Sequence, residues 1–151
     1  MIAIIAEKPS VGQEIARVVG ATEKKDGYIT GNGYMVTWAL GHLVSLALPG
    51  TYGYTRTTAE DLPMLPEPFR LVERQIRTDR GMVTDIAAGR QLKVIDGVFS
   101  ECDSIIVATD AGREGELIFR WIYSHLGCTK PFKRLWFSSL TDEAIRKGMA
   151  D

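Results

Sequence analysis

The sequence is poor in cysteine and histidine and has no long apolar run. Its 151 residues include two cysteines, Cys102 and Cys128, and two histidines. Without a CxxC motif or a nearby histidine pair, no zinc site is expected, and we expect two structural thiols in a reducing cytoplasm. No apolar run approaches the ~20 residues of a membrane span. The start, "MIAIIAEKPS", lacks the basic region of a signal peptide, so we expect neither secretion nor membrane association.

The chain also lacks an excess of either charge. Its net charge is -1, so no global basic field indicates a nucleic-acid partner. Basic residues are nevertheless grouped in two stretches, and for each group alone a solvated face is the expected structure. The groups are Arg70, Arg74, Arg77 and Arg80, and Lys130, Lys133 and Arg134.

The length and composition are those of one globular domain. Hydrophobic residues make up 45% and charged residues 25% of the chain. A chain of this length buries a core without disulfides or metals.

Apolar runs alternate with helical patterns, which predicts an α/β fold with a mostly parallel sheet flanked by helices. Ser10 and Gln13 fit a capping box at the start of the first helix, and Gly20 is expected to end that helix. Residues 47–69 are rich in proline and glycine and predict a loop-rich excursion within an insertion of about residues 26–80. The predicted elements are a strand at Ile2–Ala6, a helix from Ser10, a hairpin at Tyr28–Leu40 around "GNG", a strand at Arg70–Arg77, one or two helices at Val83–Ser100, a strand at Ser104–Thr109, a helix at Arg113–Leu126, a strand at Arg134–Phe137 and a helix from Thr141.

Three acidic residues are predicted to meet at one edge of this sheet. Ligands of open parallel sheets bind outside the carboxyl ends of the strands. Glu7 follows the first strand, Asp110 follows the strand at Ser104–Thr109, and Glu114 lies in the first turn of the next helix. If the two strands are neighbours, their carboxylates face one crevice, where Mg²⁺ would offset the repulsion.

The same acids also fit arrangements without a metal ion. Raised pKa values or ion pairs with Lys8 and Arg113 would also relieve the repulsion. Acids are common at helix N-termini because of the helix dipole, so Glu114 alone fits a structural role. Lys8 and Arg113 also suit a phosphate, and a carboxylate beside them suits proton transfer, so the cluster as a whole predicts a phosphoryl-transfer site.

Two motifs carry a resemblance to a known family. "AEKPS" at 6–10 and "TDAGREGE" at 109–116 resemble the Toprim domain of type IA DNA topoisomerases, and "AEKPS" is similar to the topoisomerase III branch. "WALGHLVSLALP" at 38–49 resembles that family's Gly-His segment, and "RLWFSSLTDEAI" at 134–145 the stretch that closes its Toprim region. The resemblance implies a Rossmann-like Toprim fold over residues 1–151, as a fragment of a longer bacterial, nucleoid-associated protein.

The resemblance also implies roles for individual residues. Glu7 corresponds to the acid that exchanges a proton with the leaving 3′ hydroxyl, and Lys8 to a residue that contacts the scissile phosphate. Glu7, Asp110 and Glu114 correspond to the Mg²⁺-binding acids, and Arg113 to an arginine near the active site and the DNA. His42 either touches DNA phosphate, orients an acid or stabilises a turn. Glu116 corresponds to a motif acid without an assigned role.

The sequence departs from the family pattern at two points. Gly112 replaces the second acid of the usual Asp-x-Asp-x-Glu motif, which predicts one metal ion rather than two, with weaker or more hydrated Mg²⁺ binding. The nucleophilic tyrosine that forms the family's 5′-phosphotyrosyl link is absent, because no tyrosine of this chain lies in a matching motif. The five tyrosines are Tyr28, Tyr34, Tyr52, Tyr54 and Tyr123.

These features favour one function and leave two others open. The favoured function is the acid and metal half of an ATP-independent type IA topoisomerase, acting on single-stranded or negatively supercoiled DNA together with other domains of the same chain. By itself the fragment is expected to be inactive. A metal-dependent Toprim nuclease or primase-type protein, and a phosphate-binding α/β module with structural acids, are the alternatives.

Overall fold

The computed structural model of the chain describes residues 1–46, 71–137 and 139–150. These residues form ten strands and four helices. The strands are β1 (Ile2–Ala6), β2 (Glu23–Lys25), β3 (Tyr28–Gly31), β4 (Tyr34–Trp38), β5 (Val44–Leu46), β6 (Leu71–Glu73), β7 (Gln75–Thr78), β8 (Gly81–Thr84), β9 (Ser104–Ala108) and β10 (Phe132–Arg134). The helices are α1 (Pro9–Val19), α2 (Ile86–Glu101), α3 (Arg113–His125) and α4 (Asp142–Ala150).

A six-stranded sheet forms the centre of the molecule, in the order β10-β9-β1-β4-β3-β2. The first four strands run parallel, whereas β3 is antiparallel to β4 and β2 is antiparallel to β3. The predicted α/β class with a mostly parallel sheet is therefore confirmed. Two further pairs, β5 with β6 and β7 with β8, form separate antiparallel ribbons.

Both faces of the central sheet are covered, which explains why β1 and β9 are almost continuously apolar. Successive residues of β1 point to opposite faces: Ala3 and Ile5 belong to one buried cluster, Ile4 and Ala6 to the other. The first cluster includes apolar residues of α2 and α3, such as Ile95 and Phe119. Residues of α1 and α4 complete the second.

The predicted hairpin is present and joins β3 to β4. Asn32, with φ 52°, and Gly33, with φ 84°, form its two-residue turn, because positive φ at both positions suits the twist of a hairpin. The second strand, β4, lies inside the central sheet beside β1, and β2 extends the sheet beyond the hairpin, a strand that the sequence pattern did not reveal.

The first helix begins one residue earlier than predicted. Pro9 is its first helical residue and Lys8 its N-cap, without a side-chain cap hydrogen bond. The predicted capping box of Ser10 and Gln13 is therefore wrong, because proline favours the first helical position. The predicted end is confirmed: Gly20, with φ 83°, closes α1 in the left-handed conformation.

The segment that begins at Leu71 contains more strand than predicted. Two strands, β6 and β7, replace the single strand predicted at Arg70–Arg77. Val83 belongs to β8, and the one helix that follows starts at Ile86, where the Asp85 side chain accepts a hydrogen bond from the backbone N–H of Ala87. This N-cap marks where the helix begins. The predicted start at Val83 was too early because the apolar residues of β8 fit the helical pattern.

The last strand lies earlier than predicted. β10 covers Phe132–Arg134 rather than Arg134–Phe137, and it pairs in register with Ile105, Ile106 and Val107 of β9. Its three residues are followed by Leu135, whose backbone N–H still donates to Val107. The prediction was too late in the chain because the apolar residues after Arg134 fit the strand pattern although they follow the strand.

Part of the predicted architecture lies outside the described residues. The loop-rich excursion at 47–69 falls there, so the insertion of about residues 26–80 stays a prediction. Within the described ranges, no helix is long and apolar enough to cross a membrane.

An ion pair connects the two helices on one face of the sheet. Arg17 of α1 binds both carboxylate oxygens of Asp142 in α4, with Nη1 3.1 Å from Oδ2. The hydrogen bond and the positive charge of Arg17 lower the pKa of Asp142 against a smaller opposing effect of burial.

We expect Asp142→Asn to reduce stability in a pH-dependent way. Because the pKa of Asp142 is lower in the folded state, its contribution is fully present above the unfolded value of about 3.9 and is lost as the pH falls through the folded value. Thermal unfolding should therefore show a lower Tm for the variant at pH 7 and a difference that shrinks as the pH falls below about 3.9. Glu143→Gln, in the same helical turn, is the control; an equal loss in both variants would contradict the assignment.

Candidate active site at the carboxyl edge of the sheet

Two acidic residues meet where adjacent parallel strands end. Ala6, the last residue of β1, pairs with Ala108, the last residue of β9. Glu7 follows β1 directly, and Asp110 follows β9 after the buried Thr109. The predicted convergence of these two carboxyl groups is thus found at the carboxyl edge of the sheet.

The proximity of the two acids changes the pKa of Glu7. Partial burial raises this pKa, and the hydrogen bond and negative charge of Asp110 raise it further. The positive charge of Lys8, and that of His42 in its protonated form, act in the opposite direction without cancelling the shift. A carboxyl group with a raised pKa holds a proton more readily near neutral pH, which suits a proton donor and acceptor.

Two helix N-termini lie beside this pair. α1 starts after Lys8 and α3 starts after Gly112, and neither N-cap side chain binds the first turn of its helix. The backbone N–H groups of both first turns are therefore not capped from the N-cap position, and the positive ends of the two helix dipoles favour an anion here. The exposed side chains of Lys8 and Arg113 add positive charge at the same edge.

Glu114 is held by a histidine. Its Oε2 atom lies 2.6 Å from Nε2 of His42, in the segment that follows β4. The other ring nitrogen of His42, Nδ1, is buried without a hydrogen-bond partner in the described part of the chain. A proton on Nδ1 would therefore be unsatisfied, so we place the proton on Nε2, where it donates to Glu114.

The segment that carries His42 is itself anchored by Arg74. Its Nη1 donates to the backbone oxygen of Leu40 at 2.6 Å and to that of His42 at 3.4 Å. Its Nε donates to Asp85 Oδ2 at 2.9 Å. The sequence group of Arg74 predicted a solvated face, and for Arg74 that prediction is wrong. We call Arg74 and Asp85 together the Arg74 brace.

The loop between β9 and α3 depends on a glycine. A Cβ atom at Gly115 would overlap the backbone oxygen of Asp110 and lie 2.7 Å from its carbonyl carbon, closer than carbon atoms tolerate. The Thr109 hydroxyl donates to the backbone oxygen of Gly115 at 2.8 Å. The first turn of α3 therefore packs directly on the backbone of Asp110, and this contact sets where Asp110 lies.

Glu116 has a structural role at this site. It pairs with Arg134 and with Arg120, whose Nε lies 2.7 Å from Oε1. These partners lower the pKa of Glu116, Arg120 through the largest single contribution, while burial opposes them. Arg134 also donates to the backbone oxygen of Thr109 at 2.7 Å, so Glu116 and Arg134 join β10, β9 and α3 behind Asp110.

The structure brings together most of the predicted site residues but not as a complete metal site. Glu7 and Asp110 are adjacent, while Glu114 is bound to His42. Among the described residues, no group of three or more His, Cys, Asp or Glu side chains is arranged to hold a metal ion. The pair of Glu7 and Asp110 does fit Mg²⁺, which takes one or two carboxylates and completes its shell with water and phosphate oxygens.

Several residues of this site were missed by sequence reasoning. Gly115 had a usable signal, because a glycine inside a helix pattern indicates a close packing contact. Arg74 had none, because its contacts with Leu40 and His42 depend on the chain after β6 lying beside the end of β4; Asp85 meets Arg74 because both flank the β7–β8 ribbon. Trp121 packs at the edge of the core, where its ring centroid lies 5.7 Å from that of His42.

We expect Gly115→Ala to destabilise the protein strongly. The added methyl group would overlap the backbone of Asp110, and relieving this overlap should cost about 1–3 kcal/mol or more in the free energy of unfolding. Gly97→Ala in α2 is the matched control: nothing lies within 4 Å of its added Cβ atom, so alanine should stabilise that helix by about 0.5–1 kcal/mol. Denaturant unfolding measures both, and similar effects of the two changes would contradict the packing assignment.

Comparisons with known proteins agree with this architecture. The Toprim domain family matches residues 2–140. The chain is 46% identical over 149 residues to DNA topoisomerase 3 of Bacillus subtilis (strain 168), and 48% identical over 153 residues to DNA topoisomerase 3 of Bacillus thuringiensis (strain Al Hakam). These alignments cover 96% and 98% of this chain but 19% of each relative. The chain therefore spans about a fifth of the length of the curated relatives it matches.

A solved structure shows the same fold. Full-length topoisomerase I from Thermotoga maritima superposes with a TM-score of 0.58 at 18% identity, over 98% of this chain and 20% of that one. Together with the parallel sheet and its acidic carboxyl edge, the match over residues 2–140 establishes the family: the chain belongs to the Toprim domain family.

Proposed function

We propose that this chain is the acid and phosphate-binding part of a type IA, topoisomerase III-like DNA topoisomerase in the bacterial cytoplasm. One observation carries the proposal: Glu7 lies against Asp110 at the ends of two parallel strands, and its pKa is raised. The 46–48% identity to proteins named DNA topoisomerase 3 supports the choice of DNA as substrate.

In this proposal the chain's own residues bind a phosphodiester and move a proton. Lys8, Arg113 and the N-termini of α1 and α3 attract the phosphate oxygens by charge and by backbone N–H groups. Glu7, with its raised pKa, donates a proton to the leaving 3′ hydroxyl and removes it again on religation. The nucleophilic tyrosine comes from the remaining domains of the same longer chain.

Asp110 and, in its ionised form, Glu7 would hold one Mg²⁺ ion, with Glu114 reaching it directly or through water. Toprim domains generally bind metal. When bound, the ion would neutralise charge on the phosphate and on the acid pair. With Gly112 in place of an acid, we expect weaker Mg²⁺ binding than in a Gly112→Asp variant; equal affinities would argue against this part of the proposal.

We expect Mg²⁺ to stabilise the folded protein and Asp110→Asn to remove that effect. A ligand that binds only the native state at about 100 times its Kd adds about 2.7 kcal/mol, or about 5–10 °C in Tm for a domain of this size. Thermal unfolding at constant ionic strength measures the shift. Asp96→Asn, with the same charge change on an exposed residue of α2, should keep the full effect; a shift that survives in Asp110→Asn would place the ion elsewhere.

We expect this chain, incubated with negatively supercoiled plasmid and Mg²⁺, to leave the plasmid topology unchanged on a gel. The proposal assigns the nucleophile to a domain that this chain does not contain. Nicked or linear product that disappears in Asp110→Asn would instead mean that the acids activate water, and the nuclease function would replace the proposed one.

A further inference from the structure

We propose that Arg74 is a positioning residue of the acidic site: through His42, it holds the Glu114 carboxylate in one orientation. Neither the local sequence nor the proposed chemistry assigns Arg74 a role. It lies in the short connection between β6 and β7, away from the acids in sequence, and its effect on them depends entirely on contacts across the fold.

The first step is the fixation of the Leu40–His42 segment. Among the described residues, the backbone contact of the Leu40–His42 segment outside Arg74 is the N–H of Gly41, which donates to the oxygen of Glu7 at a long 3.5 Å. Arg74 supplies a shorter contact by donating to the backbone oxygen of Leu40 at 2.6 Å, and a longer one to that of His42 at 3.4 Å. In addition, its own backbone N–H donates to the oxygen of Leu43 at 2.7 Å. The segment is thus tied to Arg74 on both sides of His42.

The second step is the orientation of Arg74 itself. Its Nε and Nη2 atoms both lie 2.9 Å from Oδ2 of Asp85, and its backbone oxygen accepts from the backbone N–H of Asp85 at 2.8 Å. Asp85 is in turn held as the N-cap of α2 by Ala87. Lysine could not replace this arrangement, because one ammonium group cannot reproduce the planar fork that binds a carboxylate and two carbonyl oxygens at once.

The third step leads from His42 to the acids. The His42 ring packs against Trp121 of α3, and its Nε2–H donates to Glu114 in the first turn of the same helix. His42 also lies close enough to Glu7 to affect its electrostatics. Because Nδ1 is buried without a partner among the described residues, a ring held in place by Arg74 has one favourable proton position, which makes His42 a donor to Glu114 and not an acceptor.

Nuclear magnetic resonance of the histidine rings tests this role directly. The chain has two histidines, His42 and His125, so a His125→Gln background leaves a single ring to observe. In the unchanged protein at a fixed pH above neutral, long-range ¹H–¹⁵N spectra should show His42 protonated at Nε2 alone. In Arg74→Lys and Asp85→Asn, the ring should instead average between its two tautomers, as in a Glu114→Ala reference.

Two features keep the experiment interpretable. Asparagine still serves as an N-cap, so Asp85→Asn leaves the start of α2 intact while removing the charge that orients Arg74. Arg90→Lys, in an exposed ion pair with Asp26 on the surface, is the matched control and should leave the His42 spectrum unchanged. A folded Arg74→Lys variant with the His42 spectrum of the unchanged protein would overturn the proposal.

A second measurement, the affinity for Mg²⁺, tests the effect of Arg74 on the acids and rests on the proposed function. If Glu114 must be oriented to contribute to Mg²⁺ binding, Arg74→Lys should raise the Kd for Mg²⁺ about 10-fold in calorimetric titration, as the loss of residues that orient ligands commonly does. An unchanged Kd beside an altered His42 spectrum would overturn the link from His42 to the cation. Absence of Mg²⁺ binding to the unchanged protein would count against the proposed function, while the spectra still decide the role of Arg74.

Discussion

The parallel pairing of β1 with β9 is the constraint on which the site depends. Each residue from Ile2 to Ala6 pairs in register with one from Ser104 to Ala108, so the residues that follow the two strands leave the sheet side by side. This register places Glu7 and Asp110 together although about a hundred residues separate them. Partial burial and the neighbouring Asp110 raise the pKa of Glu7, and the positive groups at the carboxyl edge act against the repulsion between the two acids.

Two sets of contacts hold the acids from opposite sides. Behind Asp110, Gly115 lets the first turn of α3 rest on the loop, and Arg134 joins the oxygen of Thr109 to Glu116. In front, the Arg74 brace fixes the His42 segment against Glu114. In both sets, an arginine donates to a backbone oxygen and also pairs with an acid. Each group thereby gains the partner that a buried carbonyl or a partly buried guanidinium needs.

The site's chemistry follows from opposed charges at one edge. Negative carboxylates and the positive ends of two helices, with Lys8 and Arg113, lie at the carboxyl edge of the sheet in an otherwise nearly neutral chain. Such an edge can receive a phosphate and a cation together, since each offsets the charge that the other leaves. This combination is the one we expect of the proposed phosphoryl-transfer function; in a purely structural acidic cluster, arginine pairs like those of Glu116 would satisfy every carboxylate.

By itself, the sequence determined the α/β class, the first and central strands, the glycine end of α1 and the positions of Glu7 and Asp110 at strand ends. These follow from local patterns, because apolar runs, turn residues and strand ends have meanings that need no knowledge of distant contacts. Only the tertiary structure decided that Glu116 is a structural ion-pair partner, that His42 binds Glu114 and that Arg74 holds His42. Those roles depend on which side chains meet across the fold. The sequence pattern around a charged residue is the same whether the residue faces water or a carbonyl oxygen from another part of the chain.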